Sequence, residues 1–592
     1  MKRIISAFLL MGAFASCQQN HHTQHAAVNA DFGKLCDQYY EDYLKLNPMV
    51  ATYAGDNRYN HLLPNDGSVA YLSAVRQFDR QYLDSLKKYN PDELDDNDRL
   101  SYDVLKDQLE ENLEGMKYHL EYLPFNQMGS LPLTMGQLGS GTGAQPFKTV
   151  KDYDNWLKRI TAFSVWADTA IGNFRKGVTA GIVFPKALVV KMYPQMLSMV
   201  VSDPKTSLFY APVNHLPKEF SAADQQRIRE AYVKAISTEL IPSYKKLGEF
   251  LKNEYLPKAR TTSGISAVPG GKDIYAYVVK QQTTTTKSPE EIYQTGLREV
   301  ERIHHQMDSI KTVTGFKGDL QAFFQYMKTD QRFMPYKSPA EILNAFGQIH
   351  QRMEPNLKKM FSDVPKTPFE IRQTEAFRAA SASAEYNQGS ADGKRPGIFY
   401  VPILDAATFN ITSGMESLFL HEAIPGHHYQ ISLTQENTAL PKFRRFGGHN
   451  AYIEGWALYC ESLGKELGLY TDPYQHMGAL GDEMHRAIRL VVDVAIHTKN
   501  MTREEAIKYM MSNEPVSEQS ATAEIERYMA WPGQALGYKI GAMKIRELRS
   551  RYEKQSGAKF KIADFHHQVL KDGSLPLGVF EAKMDKWAAA IK

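Results

Sequence analysis

Cysteine is nearly absent: the 592 residues include three. One of these, Cys17, closes the N-terminal apolar run, which leaves Cys36 and Cys460 for the rest of the chain. Two thiols in so long a chain make no disulfide framework, and both are expected to be free. An excess of one charge sign is absent too. Lys and Arg number 70 against 67 Asp and Glu, and Lys2 and Arg3 supply two of the net +3. A nearly neutral body carries no electrostatic footprint for nucleic acid, so no nucleic-acid partner is expected. Other signatures are missing as well. GSGTGA at 139–144 is not followed by Gly-Lys-Ser/Thr, so it is no phosphate loop. Acidic 90–98 lacks the spaced ligands and central glycine of a calcium loop and reads as a solvated helix start. There is no Gly-x-Ser-x-Gly elbow, which argues against a serine hydrolase.

What is present begins with an address. Lys2 and Arg3 precede a mostly apolar run from Ile4 to Phe14, the length of a signal core and too short to cross a bilayer. Phe14-Ala15-Ser16-Cys17 looks like a lipobox. The expectation is a signal peptide over 1–16, a lipid anchor on Cys17 and a polar tether over 17–30. That places the protein in a bacterial cell envelope, facing the periplasm or the cell surface, with the membrane as a partner through the anchor. His21, His22 and His25 belong to the tether, read as a solvated leader.

With 43% hydrophobic residues the body can build a large core. Residues 31–384 read as a helical region, with a first segment ending at Asn47-Pro48 and long helices over 150–200 and 221–258. Ser288-Pro289-Glu290-Glu291 is a strong helix start. Gly/Pro-rich 124–147 reads as a long loop lining a cleft. The character changes near 385. GIFYVPI, 397–403, is a short strand ended by Pro402, expected at a sheet edge, where Tyr400 could meet an extended peptide by strand addition. Residues 385–592 form the metal-site region of one continuous fold.

The chemistry lies in HEAIPGHHYQ, 421–430. Ser413-Gly414-Met415-Glu416 predicts a helix from Ser413 that carries His421 and Glu422. In the usual His-Glu-x-x-His helix the histidines stand about 40° and ~6 Å apart and share one zinc, while the glutamate takes a proton from the metal's water. Here Pro425 occupies the second position and cannot ligate. On a straight helix His427 would lie about 120° off the His421 face, and His428 ~10 Å further along. A Pro-Gly bulge would return His427 to the ligand position, so His427 is the expected second ligand, with His428 as its alternative. The histidine that does not ligate is expected to bind substrate or orient the site. Glu454, in YIEGWALYCE, is the expected third ligand; Glu461, seven residues on, is a partner or an alternative.

Three stretches, His421 to His428, Glu454-Gly455-Trp456-Ala457-Leu458-Tyr459, and Arg527-Tyr528…Pro532-Gly533-Gln534-Ala535-Leu536…Tyr538-Lys539, together with Asn47-Pro48…Arg58-Tyr59, resemble the bacterial domain of unknown function 885. That family is similar to mainly helical zinc peptidases of the gluzincin type. The resemblance implies a mainly α, zinc-peptidase-like fold with a deep cleft, and the 397–403 strand adds the expectation of a small β-sheet beside the metal helix. It also implies two His and one Glu as ligands to one Zn²⁺ per chain, and Glu422 as base. Val494-Ala495 in VDVAIH departs from the expected smaller residues.

An oxyanion needs a donor besides the metal. Tyr528, Tyr538, His497 and Arg527 are the candidates, with pairing to Glu524 or gripping a substrate carboxylate as the alternatives for Arg527. The expected activity is hydrolysis of peptide bonds in short peptides. The alternatives are a lipid-anchored binding protein of the same fold without turnover, or an amidohydrolase acting on cell-wall fragments.

Overall fold

The structure, a computed structural model, describes residues 29–374, 383–390, 395–412 and 414–591. The expected signal peptide, Cys17 and most of the tether lie outside these residues; the helix over 29–46 already includes the last two tether positions. That helix buries Phe32, Cys36, Tyr39, Tyr40 and Leu44, a spacing of three to four residues. It ends at Asn47, and Pro48 opens the next helix, Pro48–Tyr53. Helices dominate thereafter. Val150–Ala180 is capped by a Thr149/Asp152 box. The helix α1, Pro289–Thr314, starts on the expected Ser288/Glu291 box. Gly/Pro-rich 124–147 departs from expectation. Leu131–Gly139 is a helix there, because Ser130 caps Leu133 N–H and Met135 and Leu138 are buried. Both remaining cysteines are free and buried.

One small sheet interrupts the helices. Strands β1 (Phe369–Gln373), β2 (Glu385–Asn387) and β3 (Gly397–Val401) lie in the order β1-β3-β2. β3 runs parallel to β1 and antiparallel to β2, with Tyr400 opposite both Arg372 and Glu385. β3 is therefore the central strand, not the edge. Pro402 lies just beyond it, where no ladder bond is lost. Tyr400 sits inside the sheet rather than on a free edge.

The site helices follow: α2 (Met415–Glu422), α3 (His427–Glu436), α4 (Asn450–Glu461), α5 (Pro473–Thr498), α6 (Glu518–Ala530) and α7 (Leu536–Ser556). The helix expected to start at Ser413 is α2, Met415–Glu422. Gly414 is the N-cap, in the left-handed region, and Ser413 itself lies outside the described residues. Glu416 accepts from Tyr470 N–H and pairs with Arg352.

The hydrophobic interior forms two cores. One draws on residues from Phe32 to Ala588 and includes α2, α4 and α7; the other spans Leu63 to Ala535 and includes α6. α5 contributes to both. Residues on both sides of 385 enter both cores, which meet along a seam.

α4 and α7 cross in backbone contact. A Cβ on Gly541 would lie 1.7 Å from Ala451 O and 2.9 Å from the Cα of Gly455. Because α4 carries Glu454, this crossing fixes the depth of the candidate site. Gly541→Ala forces the helices apart, at a cost of about 3 kcal/mol or more. The expected result is a lower thermal midpoint, and a midpoint equal to wild type would show that the crossing can yield.

Candidate metal centre

α2 ends at Glu422, and Ala423 (φ −103°, ψ −105°) is no longer helical. The Ile424–Pro425 peptide is cis, and α3 begins at His427. The Pro-Gly pair thus acts as a full break between two helices rather than as a bulge within one. Gly426 makes the break possible, since a Cβ there would meet His421 O at 1.9 Å and Leu420 O at 2.3 Å.

The break brings His427 beside His421, with ring centroids 4.8 Å apart and planes at 89°. Nε2 of each faces one carboxylate oxygen: Glu454 Oε2 is 3.6 Å from His421 Nε2 and 3.5 Å from His427 Nε2. The ligand atoms of these three residues all lie within 4.8 Å of one another. These separations are long for hydrogen bonds. They match donors shared by one small ion, because tetrahedral donors at 2.0–2.1 Å from a zinc stand about 3.4 Å apart. The donor set, two imidazoles and one carboxylate, leaves one position of a tetrahedron open, so the residues present fit a catalytic zinc.

His421 is oriented from behind. Its Nδ1 bonds Glu461 Oε1 at 2.7 Å, which turns Nε2 towards Glu454. Glu461 therefore stands behind His421 and outside the donor group of His421, His427 and Glu454. Burial opposes charge on His421, yet Glu454 and Glu461 push its pKa up to about 10. Glu454 is also opposed by burial, but the two imidazoles hold it well below the usual carboxylate range. Glu422 lines the same cavity, and burial raises its pKa.

The cleft holds about 830 Å³ and sits at the seam of the two cores. His421, Glu422, His427, Glu454, Arg527 and Tyr538 line it. Four other expected site residues do not. His428 is turned away, its Nδ1 3.1 Å from Tyr386 OH and its ring against Phe369. Tyr386 does line the cleft, so His428 supports the wall from behind. Tyr400 is held in the central strand. Tyr528 is fully buried, with its hydroxyl donating to Glu524 at 2.5 Å and accepting from Arg489 at 3.2 Å. His497 is also fully buried. Its Nδ1 accepts from Ile265 N–H at 2.9 Å, and its Nε2 donates to Tyr528 O at 3.0 Å. It is a structural histidine with no nitrogen left for catalysis.

His497 has a measurable consequence, shared with His566. Burial first, and for each a nearby arginine as well, lowers both pKa values to about 3. In His566, Nδ1 donates to Met360 O while Nε2 accepts from Tyr459 OH. Protonating either ring sets an N–H against a donor. A folded pKa below the unfolded value of about 6.5 gives stability that is complete above pH 6.5 and lost as pH falls towards 3. Each histidine should remove about 1.4 kcal/mol per pH unit in that window. Denaturant midpoints measured from pH 7 to 5 should fall, and His497→Gln should flatten the fall; an unchanged slope would contradict the assignment.

Other lining residues have no counterpart among the sequence candidates. α5 delivers Asp482, His485, Arg486 and Arg489, and α6 delivers Glu524. Their signal was a polar spacing of three and four residues (482, 485, 486, 489) through an apolar helix.

The chain matches the family described as bacterial protein of unknown function (DUF885) over residues 48–584, and it belongs to that family. No curated protein matches it. A solved structure described as "the putative lipoprotein from Colwellia psychrerythraea" is similar at 27% identity and a TM-score of 0.84, covering 95% of this chain and 99% of that one. Another, "a putative lipoprotein of unknown function from Shewanella oneidensis", is similar at 19% identity and a TM-score of 0.74, covering 93% and 99%; that likeness speaks for the fold alone.

Proposed function

We propose that this member of the DUF885 family is a zinc-dependent metallopeptidase of the gluzincin kind, acting on short peptides. The observation that carries the reading is the spacing of three donor atoms, 3.5–3.6 Å between each imidazole and Glu454, with Glu422 beside them in one cleft. His421, His427 and Glu454 would hold one Zn²⁺, with His421 steadied by Glu461. When bound, the ion supplies a Lewis acid that acidifies a water and polarises a carbonyl. Glu422 accepts the proton from the attacking water and passes it to the leaving amine. Tyr538, half-buried in the same wall, donates to the developing oxyanion.

The substrate class follows from the cleft. Its 830 Å³ lies within the range of pockets that enclose small ligands, which favours short peptides over folded proteins. β2 pairs only with β3 among the described residues, and Ser383 to Tyr386 line the cleft. An extended peptide can add to the outer edge of β2, the role first expected of β3. The Cys17 anchor and an envelope location complete the reading. They rest on the lipobox and on the description of the similar solved structures; no helix among the described residues is long and apolar enough to cross a membrane.

The test is metal analysis of the purified chain with a peptide-digestion screen. Exposure to zinc should leave about one ion per chain and cleavage of short peptides. A chain that stays metal-free overturns the reading, and zinc uptake without cleavage of any amide favours a binding protein. Glu461→Gln should weaken zinc affinity by about 10- to 100-fold, measured by competition with a chelator, while leaving the three ligands in place.

A further inference from the structure

Three arginines, Arg486, Arg489 and Arg527, line the cleft among its carboxylates. Arg489 and Arg527 both reach one carboxylate: Glu524 Oε2 is 3.4 Å from Arg489 Nη2 and 3.1 Å from Arg527 Nη2. His485 lies 3.5 Å from the same oxygen but is shared with Glu514. One anion therefore faces two permanent cations. Arg489 is 7% exposed and lies over the Tyr538 ring, 4.5 Å from its centroid. Its Nη1 makes no hydrogen bond among the described residues, and neither does Nε of the neighbouring Arg486. Unpaired N–H groups on a buried guanidinium bear their desolvation cost without return, and such groups in native proteins call for an explanation.

We propose that Arg489, assisted by Arg486, forms a carboxylate-binding subsite that selects the peptide. The inference rests on the peptidase reading of His421, His427 and Glu454. A carboxylate is the planar, two-oxygen anion that fits a guanidinium fork. The subsite shares one cleft with His421, His427 and Glu454, and Tyr538, whose ring lies against Arg489, lines that cleft too. The carboxylate comes from the peptide C-terminus or from an acidic side chain near the cleaved bond.

The experiment uses the zinc-loaded full chain and tetrapeptides of one sequence, each as free acid or carboxamide, with and without an internal glutamate. The free acid should be cleaved with a kcat/KM about 10²-fold above the carboxamide. A preference that follows the internal glutamate instead assigns the carboxylate to the side chain. Arg489→Gln should bring the ratio close to one, and Arg489→Lys, which keeps the charge but not the fork, should fall between. A wild-type ratio near one for both pairs overturns the subsite while leaving hydrolysis standing. If nothing is cleaved, calorimetry of the same peptides decides. Binding of free acids alone keeps the subsite and removes the peptidase reading, and equal or absent binding removes the subsite.

Discussion

Glu422→Gln is expected to lower kcat/KM for peptides by about 10²- to 10⁴-fold while zinc content stays near one per chain. The substitution keeps shape and volume and removes only the proton acceptor. Its position explains the selectivity of the effect. Glu422 is the last residue of α2, next to a candidate ligand, and it lines the cleft without belonging to the donor triad. Neither Glu454 nor Glu461 can replace it. The first is engaged by both imidazoles, and the second is bound to His421 Nδ1. Kinetics and metal content must be read on the same preparation. A variant that keeps activity within tenfold of wild type removes Glu422 from the role of base, and a variant that loses zinc as well shows that the carboxylate supports the ligands.

The contrast between Glu422 and its neighbours also shows what the chain announces and what it hides. Local signals were legible. The Ser288 box opens α1 as expected, and His421, Glu422 and Glu454 stand out because charged groups amid apolar neighbours need partners. Glu461 was legible for the same reason. Signals that depend on tertiary context were not. Tyr400 lies on a strand whose neighbours, β1 and β2, both precede it in the chain, so a terminating proline looked like an edge marker. Leu131–Gly139 looked like loop because its glycines outweighed an apolar face that only packing makes decisive. His497 and Tyr528 resembled catalytic helpers by type alone, whereas burial and partners decide such roles. Arg489 went unseen for the opposite reason: on α5 it reads as a solvated charge, and only the seam between the cores turns it inward.

His427→Ala and His428→Ala should differ sharply although the two residues are adjacent. A continuous helix would set them about 100° apart with neither well placed for His421. The break over 423–426 restarts the helix at His427 and decides the matter geometrically. His427 Nε2 then faces Glu454, while His428 Nδ1 faces Tyr386 OH and burial lowers the His428 pKa to about 4. Loss of His427 removes one of three protein donors, so zinc affinity should fall by more than the roughly 100-fold seen when only a supporting partner is lost. Loss of His428 leaves all three donors in place. Its effect should reach peptides through Tyr386, which sits on β2 in the cleft wall. His428→Ala should therefore retain about one zinc per chain and show its change in KM before kcat. The reverse pattern, zinc kept without His427 and lost without His428, would mean that the ion draws α3 into a different register from the one the helix break imposes.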